Sequence, residues 1–121
     1  MKQILSNDII NQYMPTLVKC PLFNTLGEPE LRSYLNNAKV IIHSYQKNDF
    51  IALAGDPMEG IGVILEGSAL LTRENVMGQR VIMANLEQSD IFGEALLFSK
   101  QPLWPATIKA TKATKIMFIP L

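Results

Sequence analysis

The sequence predicts a mainly β domain whose helices are confined to the first third of the chain. From Ala38 onward, short segments rich in β-branched residues are separated by Gly, Asp and Asn turns roughly every eight to twelve residues. Before Asn37 the apolar residues recur at helical spacing instead. Such a series of short strands is typical of a sandwich, a jelly roll or a barrel.

Two helices are predicted in the N-terminal part, residues 1–37. The first is indicated by apolar residues at helical spacing, and we expect it to end at Pro15. These apolar residues are Ile4, Leu5, Ile9, Ile10 and Tyr13. A second helix is predicted at 28–35, because Pro29 suits a first helical turn and Glu28 and Glu30 suit its positive end. Residues 20–23 between them form a short apolar anchor.

The β part is predicted over residues 38–121. Its strands are expected at 38–45, 50–54, 62–66, 68–73, 79–86, 106–110 and 115–119. Residues 91–98 interrupt this rhythm and are typical of a glycine turn that opens one helical turn. Residues 106–115 resemble a low-complexity repeat, but their alternation favours two strands around a turn.

Composition and charge restrict the class of protein. The chain has 121 residues, which suits a single domain (1–121), and 48% of them are hydrophobic. Eleven basic and eleven acidic residues give zero net charge, so a free-standing DNA-binding domain is not expected. The single cysteine, Cys20, excludes a disulfide within the chain and a four-thiolate iron–sulfur cluster. Without a signal peptide or a membrane-spanning apolar run, a cytoplasmic protein is expected.

An ordered series of glycine motifs narrows the fold. Gly55-Asp56, Gly67-Ser68, Gly78 and then Ile-Phe-Gly-Glu at 91–94 resemble the cyclic-nucleotide-binding domain family, in particular the sensor domains of bacterial Crp–Fnr transcription regulators. The resemblance covers about residues 20–121. It implies an eight-stranded jelly-roll barrel, or double-stranded β-helix, with flanking N-terminal helices and a short helix in the phosphate-cradle turn. In that family a dimerisation helix and a winged helix-turn-helix follow, and we expect both to be absent from this chain.

The resemblance also implies a binding site. In nucleotide-binding relatives, the Phe-Gly-Glu turn and its short helix hold the cyclic phosphate. A helix N-terminus offers unpaired N–H groups to an anion, and glycine allows close approach of the backbone. The glutamate accepts a hydrogen bond from the ribose, and an arginine about ten residues later neutralises the phosphate. Gly93 and Glu94 match this pattern.

The arginine is not matched. Trp104 stands ten residues after Glu94, and Leu103, the other possible alignment, also carries no charge. The next residue, Pro105, lacks the backbone N–H that faces the phosphate in relatives. Because relatives that sense non-nucleotide ligands have lost the same arginine, we interpret Trp104 as lining a pocket for an apolar or aromatic effector.

The expected ligand-binding residues lie in two segments. They are Phe92, Gly93, Glu94, Ala95, Leu103, Trp104, Pro105, Ala106 and Thr107. Simpler structural roles remain open for three of them. Gly93 could serve only to permit a sharp turn, Glu94 to cap its helix, and Trp104 to fill the core or its rim.

Other functional residues are not indicated. His43, the only histidine, lies in a predicted strand, and one histidine supplies neither a metal cluster nor a haem ligand set. No haem, iron–sulfur cluster, metal or catalytic residue is therefore expected. The favoured function is a small-molecule sensor that forms a homodimer in the full-length protein and contacts DNA only through a C-terminal domain. A cupin-like enzyme and an interaction domain with a vestigial pocket are the alternatives.

The zero net charge generates a first prediction. The chain alone should show no sequence-specific affinity for duplex DNA, because backbone affinity depends on Lys and Arg neutralising phosphates. An electrophoretic mobility shift assay at physiological salt is the measurement. A retarded, sequence-specific complex would contradict the prediction.

Overall fold

Nine strands and two helices are formed by the residues described in the computed structural model, which are 2–4, 7–94, 100 and 103–120. The helices are α1 (Asn7–Leu17) and α2 (Glu28–Asn37). The strands are β1 (Lys2–Ile4), β2 (Ile41–Tyr45), β3 (Phe50–Ala52), β4 (Gly60–Glu66), β5 (Ala69–Glu74), β6 (Arg80–Leu86), β7 (Ile91–Phe92), β8 (Thr107–Ala110) and β9 (Thr114–Pro120).

The strands form two antiparallel sheets. The first has the order β1-β2-β9-β4-β7, and the second has the order β3-β8-β5-β6. Every pairing within them is antiparallel. The prediction of a mainly β jelly-roll domain with N-terminal helices is confirmed.

Alternation along β9 divides the core into two clusters. Met117 and Ile119 belong to a helix-facing cluster, whereas Ile116 lies in an inner cluster between the sheets and Phe118 packs against that inner cluster. Successive side chains of a strand point to opposite faces, so a strand covered on both sides reads as a nearly continuous apolar run. The sequence Ile-Met-Phe-Ile at 116–119 is such a run.

The helices cover one face of the first sheet. The buried side of α1 consists of Ile10, Tyr13, Met14 and Leu17, and α2 adds Leu31 and Leu35. Cys20 and Phe23 are buried in the same cluster, which confirms the predicted apolar anchor. Burial raises the pKa of the Cys20 thiol, as expected for a small core residue.

Two expectations for the N-terminal part are wrong. Ile4 is not helical, because residues Lys2–Ile4 form β1 against Ile41–His43 of β2 and so pair the otherwise open edge of that strand. Pro15 does not end α1, which continues to Leu17. Pro15 is exposed, so the carbonyl of Asn11 that it leaves without an amide partner also lies on the solvent side, while the buried face holds the helix in place.

The strand ends differ from expectation by a few residues. The largest shift is at β2, which begins at Ile41 because α2 extends to Asn37 and the Ala38 amide still donates to the Tyr34 carbonyl. The repeat-like stretch forms β8 and β9 around a turn, as predicted. The helical part predicted at 95–98 lies outside the described residues.

The turn at Gly67 generates a second prediction. Gly67 has φ +97°, and a Cβ there would clash with Thr114 Oγ1 and lie 2.5 Å from the Ala113 carbonyl oxygen. Gly67→Ala should therefore lower the free energy of unfolding by about 2–3 kcal/mol, since backbone strain and a backbone clash add. Urea unfolding followed by circular dichroism is the measurement.

Gly78→Ala is the matched control. Gly78 also has a positive φ, +77°, but no heavy atom lies within 4 Å of a Cβ placed there. Its substitution should cost only the strain of the left-handed conformation, about 1 kcal/mol. Equal costs for the two variants would show that contact with the β8–β9 turn is unimportant.

Candidate functional site

The Phe-Gly-Glu segment, here called the cradle turn (residues 91–94), leaves the first sheet at its edge. Ile91–Phe92 forms β7 against β4, and the Phe92 side chain is buried in the inner cluster. Gly93 has φ +91°, and a Cβ there would lie 2.8 Å from Met58 Cε and 3.2 Å from the Trp104 ring. The turn therefore favours glycine for its conformation, and a Cβ would in addition require the end of the Met58 side chain to shift. Glu94 is exposed, and Ala95 lies outside the described residues.

Both the backbone and the side chain of Trp104 are fixed by contacts with other residues. Its amide donates to the Asp56 carbonyl at 2.9 Å, and its own carbonyl accepts from the Gly55 amide at 2.8 Å. The indole is only 8% exposed, and its centroid lies 5.7 Å from that of Phe92. Trp104 thus joins the turn at 55–57 to the cradle turn through the interior of the barrel.

The remaining predicted site residues take different positions. Leu103 is 46% exposed and forms an isolated bridge with Pro57, and Pro105 is also exposed. Ala106 is buried, and the Thr107 hydroxyl accepts a hydrogen bond of 3.2 Å from the Ala54 amide. The structure therefore brings Phe92, Gly93 and Trp104 together, whereas Ala106 and Thr107 contribute to the barrel itself.

A cavity of about 300 Å³ is lined in part by Trp104. It is called the aromatic cleft here, and it is lined by the rings of His43, Tyr45, Phe50, Trp104 and Phe118. Phe92, Gly93 and Glu94 are not part of its lining. Trp104 therefore packs in the inner cluster as a core aromatic and also lines a cavity.

The rings of the aromatic cleft contact one another. The His43 ring lies 6.2 Å from Tyr45 in a stacked arrangement and 5.6 Å from Phe118 in an edge-on one. Phe118 in turn lies 6.1 Å from Phe92, edge to face. These contacts fix the orientation of the wall formed by β2 and β9.

The charged groups at the aromatic cleft are acidic. Asp56 and Glu59 contribute to the lining. Burial raises the pKa of Tyr45 to about 12, and the carboxylates of Glu59 and Asp49 add to this shift. The basic side chains of Lys47, Arg73, Arg80 and Lys100 are exposed, and none of them lines this cavity.

Sequence reasoning missed most of the aromatic cleft. His43 and Tyr45 share one face of β2 because they are two residues apart, and this alternation was the available signal. Phe118 and Glu59 come from β9 and the segment before β4, and only the folded sheets bring them next to β2.

Neither a metal centre nor a membrane span is found in the described part of the chain. No three His, Cys, Asp or Glu side chains among those residues could jointly hold a metal ion. Within the same ranges, neither helix is long and apolar enough to cross a membrane.

The strand topology defines a jelly-roll domain, and comparisons with known proteins give the family. The family model described as "Cyclic nucleotide-binding domain" matches residues 42–121, and the chain belongs to this family. It is 32% identical over 89 residues to the cAMP-activated global transcriptional regulator CRP of Pasteurella multocida (strain Pm70). This match covers 74% of the chain but only 42% of the regulator, so the chain spans less than half the length of that relative.

Solved structures share the fold. The sensor domain of the transcriptional regulator DNR from Pseudomonas aeruginosa matches with a TM-score of 0.78 and 19% identity, covering 93% of this chain and 74% of that one. The N-terminal domain of a transcriptional regulator from Streptomyces coelicolor A3(2) matches with a TM-score of 0.76 and 24% identity, covering 87% and 73%. The resemblance to Crp–Fnr sensor domains that the glycine motifs indicated is confirmed.

The raised pKa of Tyr45 generates a third prediction. Because the folded pKa of about 12 exceeds the ordinary value of 10.0, the neutral phenol stabilises the fold fully below pH 10 and loses this effect as the pH rises through 12. Tyr45→Phe cannot ionise, so its free energy of unfolding should fall less steeply above pH 10 than that of the parent chain. Urea unfolding at a series of alkaline pH values is the measurement.

Tyr34→Phe provides the control, since Tyr34 is 41% exposed on α2 and lies away from the cleft lining. This variant should follow the parent chain. Identical pH profiles for Tyr45→Phe and the parent would contradict the assigned environment of the phenol.

Proposed function

We propose that this chain is the effector-binding domain of a cytoplasmic, homodimeric Crp–Fnr type transcription regulator. Binding of a small molecule changes the DNA affinity of a C-terminal domain carried outside this chain, and no catalysis, haem, iron–sulfur cluster or metal is involved. The observation that carries the proposal is the family match over 42–121 together with the similarity to the CRP regulator.

The effector is not a cyclic nucleotide bound in the usual mode. The cradle turn keeps its glycine, but Trp104 supplies no positive charge and Pro105 supplies no N–H. The Trp104 ring lies 3.2 Å from the position of a Gly93 Cβ, so it fills space beside the turn. A phosphate placed there would lose its water without gaining a cation, which is unfavourable.

The chemistry around Trp104 favours an apolar or aromatic effector. Phe92 and Trp104 present ring surfaces at 5.7 Å, and the neighbouring cavity is lined by further rings. Aromatic rings bury large apolar areas and prefer offset or edge-on contact with other rings. The effector is expected to carry at most one anionic group.

The backbone hydrogen bonds of Trp104 suggest how ligand binding would affect the neighbouring turns. The Trp104 backbone is bonded to Asp56 and Gly55. Displacement of the indole by a ligand therefore moves the turn at 55–57 and the cradle turn together. A ligand shifts such an equilibrium only by its different affinity for the two arrangements.

Nucleotide titration is the primary test and the fourth prediction. Isothermal titration of the chain with cAMP and cGMP should show binding in roughly the millimolar range or none. Each lost hydrogen bond to a charged group contributes about 1.5–3 kcal/mol, which corresponds to about ten- to a hundredfold in affinity. Micromolar binding of either nucleotide would refute the proposal that the usual mode is lost.

A gain-of-binding pair sharpens this test. Trp104→Arg combined with Pro105→Ser restores a cation and a backbone donor, so nucleotide binding should strengthen by about tenfold or more. Trp104→Arg alone should do less. Val76→Arg is the matched control, because Val76 is exposed between β5 and β6 and adds the same charge outside the predicted site.

Circular dichroism of each variant excludes unfolding as the cause of any loss, since Trp104 is a buried residue. If the folded double variant gained no affinity, the cradle turn would have diverged beyond the phosphate contacts.

A further inference from the structure

We propose that the aromatic cleft is a binding site for a small organic cation, namely an ammonium group carried on an apolar or aromatic body. The site is separate from the cradle turn, and Trp104 both lines this site and packs against Phe92 of that turn. Cation binding there is a property of the domain alone and does not depend on its role in transcription.

The first support is the ring content of the lining. Tyr45, Phe50, Trp104 and Phe118 surround a space of about 300 Å³, which lies at the lower end of the roughly 300–1,000 Å³ of small-molecule sites. The faces of Trp, Tyr and Phe carry a negative quadrupole that attracts cations, and groups of such rings recognise quaternary ammonium ions. The Phe50 ring is 50% exposed and is therefore accessible to a ligand.

The second support is the sign of the charge at the rim. Asp56 and Glu59 are both in the lining, and both are exposed. No Lys or Arg occurs among the described residues that line the cleft. An anionic ligand would therefore meet two carboxylates of like charge, whereas a cation would meet complementary charge.

The third support is a cation that already contacts one of the rings. Lys109 Nζ lies 5.7 Å from the centroid of Phe50. Phe50 and Lys109 are cross-strand partners in β3 and β8, and this pairing keeps an ammonium group beside the ring. Lys109 would also compete with a ligand cation for this ring. Removal of its charge should therefore strengthen cation binding, whereas it should not affect binding at a purely apolar site.

The experiment, which is the fifth prediction, uses three probes of nearly equal size. Benzylammonium, benzyl alcohol and benzoate differ mainly in charge, and Trp104, the only tryptophan, reports occupancy through its fluorescence. Benzylammonium should bind at least about fivefold more tightly than benzyl alcohol, and benzoate should bind most weakly. The preference should shrink at high salt, because the carboxylates are exposed.

Variants test the two sources of the preference. Asp56→Asn with Glu59→Gln should weaken benzylammonium binding by about three- to tenfold and leave benzyl alcohol nearly unchanged. Glu74→Gln is the matched control, since Glu74 is an exposed acid at the end of β5 that does not line the cleft. It should have no effect.

Two further variants address the ring. Phe50→Leu keeps an apolar side chain but removes the ring face, so it should weaken benzylammonium more than benzyl alcohol. Lys109→Met removes the competing charge and should strengthen benzylammonium alone. Because Phe50 is half exposed, its substitution should leave the fold intact.

Tighter binding of benzoate than of benzylammonium, failure of all three probes to bind, or an unchanged preference in the charge and ring variants would overturn the proposal. Its failure is distinguishable from failure of the proposed function. Nucleotide titration reports on the cradle turn, and the probe series reports on the cleft.

Discussion

The structure depends on strand β9, which is covered on both faces and paired on both edges. It lies between β2 and β4 in the first sheet. Its Met117 contributes to the helix-facing cluster and its Ile116 to the inner cluster. A one-residue change of register would exchange these faces, so burial on both sides fixes the pairing strongly. The same register places Phe118 beside His43 and Phe92, and the aromatic wall of the cleft is a consequence of it.

Trp104 connects the interior of the sheets to the turn at residues 55–57. Its indole packs on Phe92 inside the barrel, while its backbone is bonded to the turn at 55–57. A residue fixed in both ways cannot move without disturbing either the inner cluster or two hydrogen bonds. An arginine in the same buried position would lack a partner in the absence of a ligand, and a buried unpaired charge is costly. The tryptophan avoids this cost and packs against Phe92 instead.

Most of the fold could be predicted from the sequence because strands and turns carry local signals. The turns at 46–49 and 87–90 are closed by Asp49 and Asp90, whose carboxylates accept hydrogen bonds from Gln46 and Glu87. The start of α2 followed from Pro29. Strand β1 could not be predicted, because three residues are too few to show an alternating pattern. Its stability comes from pairing with β2, which lies almost forty positions away in the sequence.

The candidate site, too, could be predicted from the sequence only in part. Gly93 matches the motif of the cyclic-nucleotide-binding family, and Trp104 departs from it. The structure places the Trp104 ring beside Gly93. Their roles in binding stay predictions. The aromatic cleft gathers β2, β3, the 53–59 segment and β9, and nothing local to any of these marks it as a cavity. Such sites depend on tertiary packing of distant strands.

The loss of the arginine and the acidity of the cleft have a common electrostatic consequence. The Asp56 carbonyl accepts from the Trp104 amide, so the acidic rim and position 104 are adjacent in space. In our proposals, Asp56 and Glu59 set the sign of the charge beside Trp104, so the region would disfavour phosphate and favour a cation. Because the two sites share Trp104, any ligand that repositions the indole for one site changes the free energy of binding at the other, and this coupling is necessarily reciprocal.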